Sequence, residues 1–395
     1  MKKSVSNLFY AFKNRSNFYI QSTDPKPLSS TNSSTKYHLP NTIYSDAFTI
    51  VELLVVIVVI GILAAVTIVS YGGVTNKATV ASLQSDLTNT SQQLKLFQID
   101  NSSYPATIST NCATNPDSLT NKCLKASEGT SYEYYVDNTT SNQTFCITAT
   151  KGSYSYSINN NGTTIPTAYC PVLYLDAGNS LSYPGAGNNK WYDLSGNNNN
   201  GTINGGATYS AANGGAMGFD GVDDWITLPN DIVTTLRIRS SGVTYSAWVK
   251  STNTTLEQRI IGQKPSSGYS DFSSGGLGIS ANKAKTIAYD DNVAYKYAIG
   301  NTTLQNNTWY FIVGTYDASD KNIRIFVNGL LDGSIVSIAT FSRLLVNAEN
   351  IVGTLNTAST HNLNGSISNI CIYNRLLTSS EILQNFNTLR SRYGL

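Results

Sequence analysis

The chain has 395 residues, with 26 Lys and Arg against 24 Asp and Glu, a net charge of +2 at neutral pH. Only 13% of the residues are charged, against about 25% in ordinary soluble domains, while Tyr reaches 25 copies. A chain this close to neutral offers no basic patch of the kind that nucleic-acid binding needs, so no nucleic acid is expected among its partners.

The first 47 residues hold six basic side chains (Lys2, Lys3, Lys13, Arg15, Lys26, Lys36) against two acids (Asp24, Asp46), and their net +4 leaves −2 for the remainder. Residues 21–45 are rich in Ser, Thr and Asn, show no periodicity and read as disordered. Then comes FTIVELLVVIVVIGILAAVTIV, residues 48–69, with one charge at Glu52. About 20 apolar residues cross a hydrocarbon core, and a carboxylate inside such a segment is costly even on lenient insertion scales. Glu52 therefore calls for a partner of opposite charge. The basic leader stays on the cytoplasmic side, which puts everything after Val69 outside.

Residues 47–56 (AFTIVELLVV), followed by GILAA at 61–65, resemble the prepilin signature of type IV pilins and pseudopilins. The resemblance implies that a prepilin peptidase cuts between Ala47 and Phe48 and methylates the new amino group. It also implies that Glu52 pairs with the free N-terminus of a neighbouring pilin subunit during assembly. The precursor would then lie in the cytoplasmic membrane and the assembled subunit at the cell surface, in an extracellular pilus. Ala47 stands where most of the family has Gly, and Val69 where many members have Pro; Gly72-Gly73 could supply the missing flexibility.

Beyond the apolar run, Val80, Leu83, Leu87, Leu94 and Phe97 fall on a 3–4 spacing with Thr90 in the remaining slot, an amphipathic stripe. The helix is expected to end near Asn101 and to span roughly 78 Å from Phe48 to Ile99 at 1.5 Å per residue. Its second half should pack on a small sheet with candidate strands at 132–137, 144–150 and 154–159. Helix 48–100 and head 101–170 together make the α+β fold that the pilin resemblance implies. Cys112, Cys123, Cys146 and Cys170 all lie in this head, an even set in a compartment where disulfides persist. Three pairings are open; Cys112–Cys123 with Cys146–Cys170 is favoured. Zinc is disfavoured, because the spacings lack CxxC and the head has no His. Cys371, left over in an apolar run, reads as a buried free thiol.

From 171 to 395 short alternating segments are separated by Gly, Asn and Asp clusters: 245–250, 259–263, 277–280, 286–289, 309–316, 322–328 and 367–373. Many short strands at regular intervals read as an all-β sandwich, with a short helix at 379–389 capped by Ser379 or Ser380. WYDLSG at 191–196, FDGVDDW at 219–225, SAWVK at 246–250, IFVNG at 325–329 and GSISN at 365–369 resemble the concanavalin A-like, laminin-G-like jelly rolls of bacterial surface proteins. The overall expectation is an α+β pilin, a long N-terminal helix plus small antiparallel sheet, followed by an all-β jelly-roll sandwich.

Chemistry is sparse. Some jelly rolls of this superfamily are glucanases, but a retaining glycosidase needs two carboxyls about 5–5.5 Å apart, and Glu257, Glu349 and Glu381 stand far apart in the chain. His361, the one His after the leader, sits in a polar loop, so no enzyme is expected. Asp193, Asp220, Asp223, Asp224 and Asp317 fall in loops or at strand ends, where several oxygens could hold Ca²⁺; Asp220 and Asp223 equally suit the capping of a tight turn. Trp191, Trp225 and Tyr269 are candidates for stacking on sugar rings, whereas Trp248 and Trp309 read as core.

The parts combine as a minor or tip type IV pilin-like surface protein that presents a lectin-like domain to carbohydrate or another surface ligand. One alternative is a major pilin or secretion pseudopilin whose sandwich is a spacer; another is a membrane-anchored glycan hydrolase, which the missing acid pair argues against.

Overall fold

The computed structural model describes residues 49–139, 141–185, 187–229, 242–264, 273–290, 294–317, 319–333, 335–337, 349–354 and 361–395, without the side chains of 65–73 and of some strand ends. Ala47, Phe48 and Tyr269 lie outside the described residues, as do the side chains around Val69 and Gly72-Gly73. The chain falls into two units, Met1–Ala65 and Val66–Leu395.

Helix α1 runs Ile50–Asn101, 52 residues. Its start is fixed by a reciprocal cap: Thr49 N and Oγ1 donate to Glu52 Oε2 at 2.9 and 2.7 Å, and Glu52 N donates back to Thr49 Oγ1 at 3.2 Å. This pattern satisfies helix-end donors from within the chain. The apolar side chains of 50–64 are exposed all round, Leu53 by 59% and Leu63 by 59%. Among the described residues no helix is long and apolar enough to cross a membrane; the described side chains of the apolar run stop at Ala64.

The later half of α1 buries one stripe. Leu83, Leu87, Thr90, Leu94 and Phe97 are all buried, and Val80 is partly so. Val80, Leu83, Leu87 and Leu94 meet an antiparallel sheet of β3 (Ser131–Asp137), β4 (Thr144–Lys151) and β5 (Tyr154–Asn159). Ile147 and Ala149 of β4 and Leu124 complete that core. A short parallel pair, β1 (Thr107–Ser109) and β2 (Asn121–Cys123), precedes the sheet. Cys112 is bonded to Cys123, and Cys146 to Cys170.

The rest is mostly a β-sandwich. Its strands are β6 (Leu173–Asp176), β7 (Lys190–Trp191), β8 (Gly201–Asn204), β9 (Thr208–Ser210), β10 (Ala216–Asp220), β11 (Trp225–Leu228), β12 (Gly242–Ser251), β13 (Gln258–Lys264), β14 (Ser273–Ser280), β15 (Lys283–Asp290), β16 (Ala294–Ile299), β17 (Tyr310–Asp317), β18 (Asn322–Val327), β19 (Leu330–Leu331), β20 (Val336–Ser337), β21 (Glu349–Val352) and β22 (Asn364–Tyr373). One sheet runs β19-β18-β17-β12-β22-β10-β9, with β6 also on β22 and β20 on β18; the other runs β16-β15-β14-β13-β21-β11-β8-β7. Alternate residues of the two inner faces, among them Leu175, Met217, Ile261, Leu277, Ile312 and Ile370, make one buried core. Each such side chain contributes about 1.5–3 kcal/mol by leaving water.

Helix α2, Ser379–Leu389, has the bounds expected from the sequence, but its N-cap is Thr378 rather than Ser379 or Ser380. The reason is Glu381: Thr378 Oγ1 accepts from Glu381 N while Glu381 Oε2 accepts from Thr378 N. Only a residue three positions before the Glu can close that reciprocal cap.

Candidate functional site

The segment Phe219-Asp220-Gly221-Val222-Asp223-Asp224-Trp225 is the turn that carries the chain from β10 in one sheet to β11 in the other. Asp220 Oδ1 accepts from Val222 N at 2.7 Å and from Asp223 N at 3.4 Å, and Asp224 Oδ2 accepts from Asp220 N at 2.8 Å. These bonds are the turn-capping use of short acids. Gly221 has φ 83°, a backbone region that a side chain would strain. Neighbouring loops brace the turn: Asn362 Nδ2 donates to the Val222 carbonyl. A Cβ on Gly205, at φ 79°, would lie 1.8 Å from the Asp223 carbonyl, so only Gly permits that approach.

The same turn brings three carboxylates together. One oxygen from each of Asp220, Asp223 and Asp224 lies within 4.8 Å of the others, with Asp220 and Asp223 exposed and Asp224 buried. Burial pushes the Asp224 carboxyl above the usual range, and the negative charges of Asp220 and Asp223 push it further. Three hard, acidic oxygens at this spacing suit an oxygen-seeking cation such as Ca²⁺ better than a soft metal. Trp225 follows directly and is half-buried, its Nε1 donating to Thr227 Oγ1 at 3.2 Å. Exposed Val222 adds an apolar tip.

Asp193 and Asp317 do not join this cluster. Asp193 is buried and accepts from Tyr174 N (2.9 Å), Ser195 N (2.9 Å), Ser195 Oγ (2.7 Å) and Asn199 N (3.0 Å). It organises the Asn-rich loop in which the Asn197 and Asn199 side chains donate to the Val172 carbonyl. Asp317 accepts from Ser319 N and Oγ and stands 3.8 Å from Arg324. Both acids are thus engaged in holding local backbone, away from the three-acid turn.

Among the proposed stacking residues, Trp191 is fully buried in the sandwich core, so its ring cannot meet a ligand; Tyr192 beside it is the exposed aromatic. Trp248 and Trp309 are buried, as read from the sequence. Cys371 is a buried free thiol, and its burial pushes the pKa up to about 12. Of the sandwich acids considered for catalysis, Glu257 is paired with Lys285 and Glu381 with Arg375.

Residues 220–383 match the concanavalin A-like lectin/glucanases superfamily. The match therefore begins at Asp220 and takes in the three-acid turn. The type II secretion system core protein G of Dickeya chrysanthemi is 38% identical over 60 residues, 15% of this chain and 39% of that protein. The similarity therefore covers about two fifths of the relative's length. Similar solved structures include the receptor-binding domain of a botulinum neurotoxin C/D mosaic serotype, at 18% identity and a TM-score of 0.44 over 55% of this chain and 51% of that one. Another is a botulinum neurotoxin serotype D ligand-binding domain in complex with N-acetylneuraminic acid, at 17% identity, TM-score 0.42, 55% and 50% coverage. A Trypanosoma rangeli sialidase is similar at 17% identity, TM-score 0.43, 58% and 34% coverage.

Proposed function

We propose that the chain is a minor or tip type IV pilin-like subunit whose β-sandwich is a lectin-like binding module. The observation that carries the reading is the joining, in one chain, of two parts. One is an apolar helix from residue 50 that leaves its side chains exposed. The other is a region matching the concanavalin A-like lectin superfamily. The stretch of identity to a type II secretion pseudopilin supports the first part. An all-round apolar helix is stable only when lipid or other helices cover it. Membrane insertion followed by packing against other pilin subunits supplies both covers in turn.

In this reading a prepilin peptidase releases Phe48, and Glu52 exchanges its Thr49 cap for the N-terminus of a neighbouring subunit. Heterologous packing of this kind builds open helical filaments. The sandwich then faces the medium with the 220–225 turn as its binding rim. Asp220, Asp223 and Asp224 hold Ca²⁺ there, and Trp225 stacks on a carbohydrate. The chemistry is binding rather than catalysis.

The test is a glycan-array screen of the full chain in detergent micelles, with calcium and again with a chelator. Selective binding that the chelator removes supports the lectin reading. Silence from folded protein in both conditions overturns it in favour of a spacer. Sheared filament fractions from cells expressing the wild-type chain or Glu52→Ala address the other half: wild type should appear there in small amounts and the variant should be absent.

A further inference from the structure

The outward face of the sheet containing β12, β17 and β22 is covered by a second apolar cluster, separate from the sandwich core. Trp248, Phe311 and Tyr373 from the sheet meet Phe386 of α2 and Tyr393 just beyond it. Trp248 stacks on Tyr393 with ring centroids 3.9 Å apart and on Phe386 at 5.7 Å. The cluster also takes in Ile165 and, at its margin, Tyr169, which belong to the segment that follows β5 of the small head sheet. One apolar patch therefore contains residues from both sides of the expected domain boundary at 170.

Polar contacts follow the same line. The buried side chain of Asn385 accepts from Ala168 N at 2.6 Å, and that of Thr388 accepts from Ser155 N at 3.1 Å. Both acceptors are on α2 and both donors are head backbone. Arg375 places its guanidinium 3.7 Å from the Tyr169 ring centroid while it is bonded to Glu381, the residue that closes the α2 cap. Asn159 at the end of β5 donates through Nδ2 to the Ser195 carbonyl of the sandwich.

We propose that α2 is a clasp that makes the small head sheet and the β-sandwich one cooperative unit, so that they open together and keep a fixed mutual orientation. The proposal does not depend on what the sandwich binds. Residues 155 and 168 leave buried backbone donors that the head itself does not satisfy, and a buried donor without a partner is strongly disfavoured. The head is complete only when the last helix has docked. A chain that ends before 379 would present a head with an unfilled apolar patch and two orphaned amides.

Hydrogen exchange of the full chain in detergent micelles, followed by mass spectrometry across a denaturant series, tests this. In wild type, peptides from β4 and β5 should share one opening transition with peptides from β12 and β22. The double substitution Asn385→Ala with Thr388→Ala should raise exchange in peptides covering 155 and 168 at least tenfold. Peptides of β13 to β15, remote from the clasp, should be unchanged. Separate wild-type transitions for head and sandwich would overturn the proposal, and so would unchanged head exchange in the folded double variant. If the double variant fails to fold, the wild-type series alone decides.

Discussion

The loop around Asp193 and the turn at 220–224 both bring acids into a nearly neutral sandwich, and they use them in opposite ways. Asp193 is buried and surrounded by donors; burial raises its carboxyl above the usual value, and bonds from Tyr174, Ser195 and Asn199 offset only part of that rise. Among the described residues, the donors at 220–224 engage Asp220 and Asp224, while Asp223 adds a third charge to the group. The first arrangement spends its carboxylate on holding backbone. The second concentrates negative charge where a turn alone would need only one or two acids. Convergence of carboxylates, rather than their number, is what separates a binding candidate from a structural acid.

The sharpest way to break this contrast is Asp193→Ala. Three backbone amides and a hydroxyl lose a buried acceptor, so denaturant unfolding should show a loss of about 3–5 kcal/mol. A loss below about 1 kcal/mol would place Asp193 with the tolerant surface acids. For the turn itself the largest response is to calcium. Millimolar Ca²⁺ should raise wild-type stability by about 1–3 kcal/mol through preferential binding to the folded state, as read by thermal melts. Asp220→Asn with Asp223→Asn should abolish that response, while Asp317→Asn keeps it.

Trp225→Ala should weaken glycan binding about tenfold, or 1.4 kcal/mol, on the same array. Trp191→Ala should instead cost stability by about 3–5 kcal/mol, as expected for a buried ring. The smallest effect is the pH response of the turn. The folded pKa of Asp224 is raised, so its protonated form contributes stability below the unfolded value of about 3.9, and that contribution is lost as pH rises through the folded pKa. In chelator, Asp223→Asn should flatten this fall by about 1 °C in melting temperature. An identical pH profile in variant and wild type would mean that the three acids do not interact.

Much of the fold could be read from residue spacing. The stripe from Leu83 to Phe97 is buried as its 3–4 spacing requires, with Val80 partly so, and Thr90 sits in that stripe with 1% exposure. Long strands such as β12 and β22 were legible because they exceed one or two alternations. β7, β9 and β11 have only two to four residues, too few for a period to register. Trp191 misled because it stands in a polar Asn- and Gly-rich stretch that looks like surface; pairing of β7 with β8 turns that ring inward. The Thr378 cap was available as a T-x-x-E spacing. The Thr49–Glu52 cap was also available, hidden behind the more conspicuous puzzle of an acid in an apolar run. The clasp was not legible, since Ala168 and Asn385 are 217 positions apart and neither carries a local signal.

That separation has a mechanical consequence. The chain leaves the head at Cys170, which is cross-linked to β4 through Cys146, builds the whole sandwich, and returns to the head through α2. A tug on the sandwich rim is therefore carried by two routes in parallel, the covalent one anchored by the disulfide and the docked helix. A single tether would let the module swivel and concentrate tension on one peptide link. Two attachment lines make the sandwich a bracketed fixture, and any rearrangement that shuffles such modules between subunits must move the last helix together with the strands.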